Sequence, residues 1–95
     1  MEGNAPDAEQ LSADDACILK YIDYCERQGQ GAAVLGIALS LMAHYRMADA
    51  GDAPDAHAVI HRLQLRGFVH DVQDGQRRLW RLTEAGLRHA TNLRE

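Results

Sequence analysis

The sequence has no apolar run long enough to cross a membrane. The longest one, residues 32–43, is interrupted by Gly36 and Ser40 and falls well short of the ~20 residues that a membrane-spanning helix requires. The N-terminal residues carry acids and no basic residue ahead of an apolar stretch, so they do not resemble a secretory signal. At 95 residues the chain has room for one modest core and none for a two-domain enzyme. We therefore expect one cytoplasmic domain, residues 12–95, behind a flexible tail, residues 1–11.

Cysteine is scarce, and the spacing of the two cysteines excludes a disulfide between them. Cys17 and Cys25 lie in one predicted helix, where their separation corresponds to a rise of roughly 12 Å, too far for a bond. We interpret both as small, buried or half-buried apolar side chains in a reducing compartment. The alternative is a redox switch that works through pairing between molecules.

The residue sets that catalysis requires are also missing. The sequence has no Ser/His/Asp or Cys/His arrangement, no glycine-rich phosphate loop and no paired carboxylates at helical spacing in a plausible pocket. His57 and His61 have the i, i+4 spacing of a metal-binding pair, but no glutamate lies between them and no third ligand is evident nearby. We therefore expect no enzymatic activity, no metal site and no cofactor.

Charge is distributed unevenly along the chain, whose net charge is −4. Residues 1–31 hold seven acids against Lys20 and Arg27, whereas residues 54–95 hold seven arginines against five acids. Between residues 62 and 81 the balance is +3. The positive charge is thus concentrated in one segment, as the surface of a nucleic-acid-binding protein requires.

Periodicity and a capping residue predict a first helix over residues 12–28. Ser12 is suited to the N-cap, and the acids that follow it favour the positive end of the helix dipole. Leu19 and Tyr24 fall off the predicted buried face, so we expect them to be available to a partner protein. That buried face follows the i, i+3, i+4, i+7 spacing and consists of Ile18, Tyr21, Ile22 and Cys25.

Two further helices are predicted before the chain changes its periodicity. The second covers residues 33–46, and its expected buried side consists of Val34, Leu35, Leu39, Met42 and Tyr45. The third covers residues 54–66, where proline suits the first turn and Gly67 suits the left-handed position after the end. Its expected buried residues are Ala56, Val59, Ile60 and Leu63. Its expected outward residues are Asp55, His57, Ala58, His61, Arg62 and Gln64.

Residues 68–82 predict a β-hairpin, because apolar side chains alternate there. Asp74-Gly75 is typical of a two-residue type I′ turn. This turn sets a register in which Gln73 lies opposite Gln76, Val72 opposite Arg77, Asp71 opposite Arg78, His70 opposite Leu79 and Val69 opposite Trp80.

The predicted register assigns roles to three hairpin side chains and to the chain that follows. Trp80 is expected to anchor the core rather than to line an aromatic effector pocket. Arg78, on the same face as Asp71, has a structural role if the two form an ion pair. Thr83 is expected to cap a final helix over residues 84–93.

Three helices followed by a β-hairpin form a winged helix-turn-helix, a mainly α fold in which one helix enters the major groove of DNA. We expect His57, His61 and Arg62 to contact bases, and Arg77 and Arg81 to contact phosphates from the outer face of the wing. An ordinary solvated strand face is the alternative for the wing arginines. The full predicted DNA-binding set is His57, His61, Arg62, Gln64, Gln76, Arg77, Arg78 and Arg81.

Two segments, residues 60–69 (IHRLQLRGFV) and 75–86 (GQRRLWRLTEAG), resemble bacterial PadR-type transcriptional regulators and, more loosely, the MarR type. Those families are dimeric winged-helix repressors that bind palindromic operators. The resemblance implies a homodimer that binds double-stranded DNA through the third helix and the wing. Those families dimerise through a long helix that follows the position of Gly86, where this sequence continues for only nine residues. Dimerisation is therefore expected to use the first helix or the acidic N-terminal segment, or to be absent.

A winged-helix protein-interaction module without DNA binding is the alternative function. The acidic first third of the chain favours it, as do Ala58 and Leu65 at third-helix positions where DNA-binding proteins often carry polar groups. Its protein partner would contact the first helix through Leu19 and Tyr24, or the acidic segment.

Overall fold

The order of the elements confirms the winged helix-turn-helix predicted from the sequence. The computed structural model describes residues 11–94, and its one sheet is a two-stranded antiparallel hairpin. The predicted tail lies outside the described residues except for Leu11, which is half-buried against the core. Residue 95 also lies outside them. The elements are α1 (Ala13–Arg27), α2 (Val34–Ala48), α3 (Ala56–Leu65), β1 (Val69–Asp74), β2 (Arg77–Leu82) and α4 (Glu84–Leu93).

Helix α1 begins at the predicted cap and lies at the centre of the fold. The Ser12 hydroxyl accepts the Asp15 N–H, and the Asp15 carboxylate accepts the Ser12 N–H in return, which is a capping box. The prediction for Leu19 was wrong, because this side chain is fully buried. Since α2, α3, α4 and β2 all contact α1, its buried surface is wider than the single stripe that the spacing indicated. Tyr24 is exposed, as expected.

Helix α2 buries a different side from the one predicted. Ile37 and Leu41 are fully buried, whereas Leu35, Leu39 and Met42 are 68 %, 56 % and 48 % exposed. Only half-burial is seen for the other two members of the predicted buried set, Val34 and Tyr45. The error has a physical reason. The helix is apolar on nearly every side, so its spacing does not specify which side faces α1.

Helix α3 presents the two faces that the sequence predicts. It is shorter than expected at its start, where Asp55 is the N-cap, and Gly67 follows its end with φ of 80°. The four residues predicted to be inside are buried: Ala56, Val59, Ile60 and Leu63. The six predicted to be outside are exposed: Asp55, His57, Ala58, His61, Arg62 and Gln64.

The hairpin turn lies one residue later than predicted, so the predicted register was wrong. Gly75 and Gln76 form the turn, and Gly75 has φ of 64°, which suits the first position of a type II′ turn. The partner of each β1 residue therefore changes by two positions along β2, and because this number is even every side chain keeps its predicted face. The observed pairs are Val69 with Leu82, His70 with Arg81, Asp71 with Trp80, Val72 with Leu79, Gln73 with Arg78 and Asp74 with Arg77.

A short connection to the segment between α1 and α2 covers part of the hairpin. Ala32 and Trp80 exchange backbone hydrogen bonds of 2.9 and 2.7 Å. A Cβ on Gly31 would stand 2.9 Å from the Leu79 Cβ, so this backbone lies directly against β2. Leu79 is buried as a result, although the sequence placed it on the outer face.

The last helix is attached as the sequence predicts. The Thr83 hydroxyl accepts the Gly86 N–H at 3.0 Å and caps α4. A Cβ on Gly86 would lie 1.9 Å from the Phe68 carbonyl oxygen, so only glycine fits at this contact. Trp80 is buried in the core, as expected of an anchor. None of the helices formed by residues 11–94 has the length and apolar character needed to cross a membrane.

Candidate nucleic-acid interface

The exposed side of α3 brings together three of the predicted DNA-binding side chains. His57 and His61 are separated by one helical turn and therefore share a face, with Gln64 one turn further on. All three are exposed, and within residues 11–94 their side chains form no hydrogen bond or ion pair. Imidazole and carboxamide groups offer both donors and acceptors, which is the chemistry that base edges in the major groove require.

Arg62 lies on the same helix, but its guanidinium is already bound to a carboxylate of the protein. Its Nη2 donates to Asp15 Oδ1 at 2.8 Å, and the Asp15 side chain is only 2 % exposed. Arg66 Nη1 donates to the other oxygen of the same carboxylate at 3.2 Å, and its guanidinium lies 4.9 Å from the centre of the Phe68 ring. The structure therefore places Arg62 in an ion pair between α3 and α1, although about half of its side chain is exposed.

Sequence reasoning missed this role of Asp15. We interpreted it only as an acid at a helix start, and that local role is confirmed. Its two arginine partners are 47 and 51 residues away along the chain. No local spacing pattern indicates a contact over that distance.

Two of the wing arginines form exposed ion pairs within the hairpin. Arg78 Nε lies 3.4 Å from Asp71 Oδ2, and Arg77 Nη2 lies 3.9 Å from Asp74 Oδ2. The expected contact of Arg78 with Asp71 is thus confirmed, although it runs diagonally between strands. All four side chains are largely solvated, and exposed pairs of this kind contribute little to stability. A phosphate group can therefore compete for either arginine.

The remaining wing candidates are Arg81 and Gln76. Arg81 is half-buried opposite His70 and has no ion-pair partner within residues 11–94. Gln76 is exposed in the turn, next to Gly75. Arg77 and Arg81 share one face of β2, as predicted. The buried Leu79 lies between them, so the two arginines form separate contact points rather than one continuous basic strip.

One solved structure is similar to this chain over most of its length. No protein-family model matches the chain, and no curated protein matches it. A similar solved structure is that of the MepR A103V mutant from a multidrug-resistant S. aureus clinical isolate, with a TM-score of 0.66 and 17 % identity. The similarity covers 92 % of this chain and 62 % of the MepR chain, so this chain spans less than two thirds of its structural neighbour.

The similarity shows that the fold is a winged helix. At 17 % identity the likeness extends to the fold alone. It supports the MarR part of the family resemblance and does not single out the PadR type.

The histidines and cysteines of the described residues do not form a metal site or a disulfide. Across residues 11–94 no three His, Cys, Asp or Glu residues come together as a metal site would require. Cys17 is half-buried and Cys25 is buried, and both are free thiols. Burial raises the pKa of Cys17, and its Sγ lies 3.8 Å from the Ser40 hydroxyl oxygen.

A second exposed surface lies on α2 and is apolar. We call it the α2 apolar face, and it consists of Leu35, Leu39, Met42 and Met47, of which Met47 is 88 % exposed. Leu35, Leu39 and Met42 were predicted from their spacing to be buried. Large apolar side chains exposed along a helix are typical of protein contact surfaces.

Proposed function

We propose that this protein is a DNA-binding transcriptional regulator. In this proposal α3 lies in the major groove, and the hairpin contacts the neighbouring backbone. His57, His61 and Gln64 contact base edges, while Arg77, Arg78 and Arg81, with Gln76 at the turn, contact phosphates. The observation that carries the proposal is the exposed side of α3, whose three polar side chains have no partner within the described chain. The MarR-type fold, which MepR shares, supports it.

Selection from a random pool of duplexes tests this proposal. The expected result is a preferred duplex that binds more tightly than a non-specific control of equal length, with affinity that falls steeply as salt rises. His57→Ala with His61→Ala should remove the preference, since these side chains lie on the groove-facing helix. Equal binding to selected and control duplexes would contradict sequence-specific recognition.

A repressor role and a homodimer are further parts of the proposal, as is a bacterial cytoplasmic setting. Helix-turn-helix dimers bind two half-sites about 34 Å apart on one side of the duplex. The α2 apolar face offers a second copy a surface to bury. The contact through Leu19 that was expected for a partner protein is not possible, because Leu19 is inside the core. Light scattering in solution should give twice the chain mass.

A protein-interaction module without DNA binding is the second candidate function. The α2 apolar face favours it, because its four exposed apolar side chains suit contact with another protein rather than with the charged DNA backbone. Leu35→Ser with Leu39→Ser separates the two candidates. Loss of a stoichiometric protein complex in the variant, with no duplex binding by either form, would support the second candidate. Duplex binding by the unmodified protein would support the first.

A further inference from the structure

One buried carboxylate joins the start of α1 to the last turn of α3. Asp15 Oδ1 accepts a hydrogen bond from Arg62 Nη2 at 2.8 Å, and Oδ2 accepts from Arg66 Nη1 at 3.2 Å. The Ser12 N–H donates to the same Oδ2 at 3.4 Å. Three donors from two distant parts of the chain therefore converge on one side chain that is 2 % exposed.

This arrangement restrains Arg62 although half of its side chain is solvated. Arg62 is 48 % exposed and directly follows His61 in the sequence of α3. If Arg62 turned to a phosphate, the almost buried carboxylate would keep only Arg66 as its charged partner. Buried charges that lose a partner are costly, so Arg62 remains bound to Asp15.

We propose that Asp15 is a positioning residue for DNA recognition, which withholds Arg62 from the DNA backbone and fixes the orientation of α3. This inference rests on the proposed function. Because Arg62 is bound to Asp15, it does not contact a phosphate, and the affinity of α3 for DNA of any sequence is lower as a result. A fixed helix keeps His57 and His61 aligned with base edges. Asp15 therefore acts on the ratio of specific to non-specific binding.

Asp15→Asn tests the proposal because it has an effect opposite to that of simple destabilisation. Removal of the charge frees Arg62 for a phosphate, so affinity for a non-specific duplex should rise. The slope of log K against log[salt] should steepen by about 0.9, the value for one more neutralised phosphate. Preference for a selected duplex should fall. A residue with only a structural role would weaken binding to every duplex and would not steepen the slope.

Two controls separate the release of Arg62 from a change in net charge. Asp14→Asn makes the same charge change at the neighbouring position, where the carboxylate accepts a hydrogen bond from the Tyr45 hydroxyl and, within residues 11–94, forms no ion pair with an arginine. It should leave the salt slope unchanged. Combining Asp15→Asn with Arg62→Gln removes the freed cation, so the gain in non-specific affinity should disappear.

Arg62→Gln in the otherwise unchanged chain keeps the proposal testable if Asp15→Asn does not fold. Since Arg62 is bound to Asp15, its loss should change the salt slope no more than Arg88→Gln, which removes an exposed arginine on α4. A slope flatter by about 0.9 for Arg62→Gln alone would show that Arg62 already contacts a phosphate. That result would overturn the inference.

The outcomes for the two proposals are distinct. If the unmodified protein binds duplex DNA and folded Asp15→Asn has the same salt slope as Asp14→Asn, the positioning role is wrong and the DNA-binding function stands. If neither the unmodified protein nor any variant binds duplex at low salt, the DNA-binding function is wrong and the positioning role falls with it.

Discussion

Arg94 donates two hydrogen bonds to the carboxylate of Asp23, from Nε to Oδ2 at 2.9 Å and from Nη2 to Oδ1 at 2.7 Å. Asp23 lies in α1 with its side chain almost fully buried, and Arg94 is the C-cap of α4. Arg27 approaches the same carboxylate at 3.4 Å. Two-point contacts between arginine and carboxylate are among the stronger polar contacts in proteins. This one attaches the last helix to the centre of the fold.

Asp23→Asn should destabilise the protein by about 1–3 kcal/mol, because an amide replaces a charged acceptor of strong hydrogen bonds. Chemical unfolding followed by circular dichroism measures the change. Asp49→Asn, at an exposed position after α2, is the matched control and should have little effect. Equal stability of the two variants would mean that the Arg94 contact contributes nothing.

The same contact predicts a loss of stability in acid. The hydrogen bonds from Arg94 lower the pKa of Asp23 below its ordinary value of 3.8, and the nearby charges of Arg94 and Arg27 act in the same direction. The unfolded chain therefore binds the proton more readily than the folded one. Asp23 adds its full stabilisation above its ordinary pKa and loses it as the pH falls through the lower pKa of the folded state.

Unfolding free energies measured from neutral pH down to about pH 3 check this expectation. The decline for the unmodified protein should be steeper than that for Asp23→Asn, since the variant has no carboxyl group to titrate at this position. Parallel pH profiles for the two proteins would contradict the contribution of Asp23.

Gly86→Ala should destabilise the fold by about 1–3 kcal/mol or more, because the new Cβ would meet the Phe68 carbonyl oxygen. Helix propensity alone predicts the opposite sign, since alanine favours a helix over glycine by about 1 kcal/mol. Gly29→Ala is a useful control. Gly29 has φ of 83° and open space around it, so it tests backbone strain without a clash. A gain in stability for Gly86→Ala would show that Phe68 can move away.

Local signals in the sequence determine much of this fold. The caps at Ser12 and Thr83 and the glycine after α3 fix helix ends because each acts on backbone groups within a few residues. The two faces of α3 follow from clear amphipathic spacing. The hairpin turn was displaced by one residue because Asp74-Gly75 and Gly75-Gln76 both offer a glycine that tolerates positive φ.

Features that depend on distant partners were not predictable from the sequence. The buried side of α2 is set by α1, since α2 itself is apolar on most sides. Leu79 is buried only because the segment at Gly31 lies against it. Among the candidate site residues, the exposure of His57 and His61 followed from local spacing. The engagement of Arg62 by Asp15 did not, because it joins elements far apart in the chain.

The proposed phosphate contacts of the wing can be tested separately from the base contacts of α3. Arg77→Gln with Arg81→Gln should weaken binding to all duplexes to a similar degree and flatten the salt slope by about 1.8, the value for two phosphate contacts. Preference among sequences should persist, because α3 is unchanged. Arg88→Gln on α4 serves as the control for net charge. Unaltered affinity in the double variant would mean that Arg77 and Arg81 are solvated side chains that do not contact DNA.

Backbone amide chemical shifts, measured by NMR as duplex DNA is added, test the central claim most directly, because they locate the contact surface residue by residue. We expect the largest shifts at His57, His61 and Gln64 in α3 and at Gln76 and Arg77 in the wing, with small shifts along the α2 apolar face. The DNA-binding account would be contradicted by an unchanged spectrum at low salt, or by shifts that avoid α3 and the hairpin.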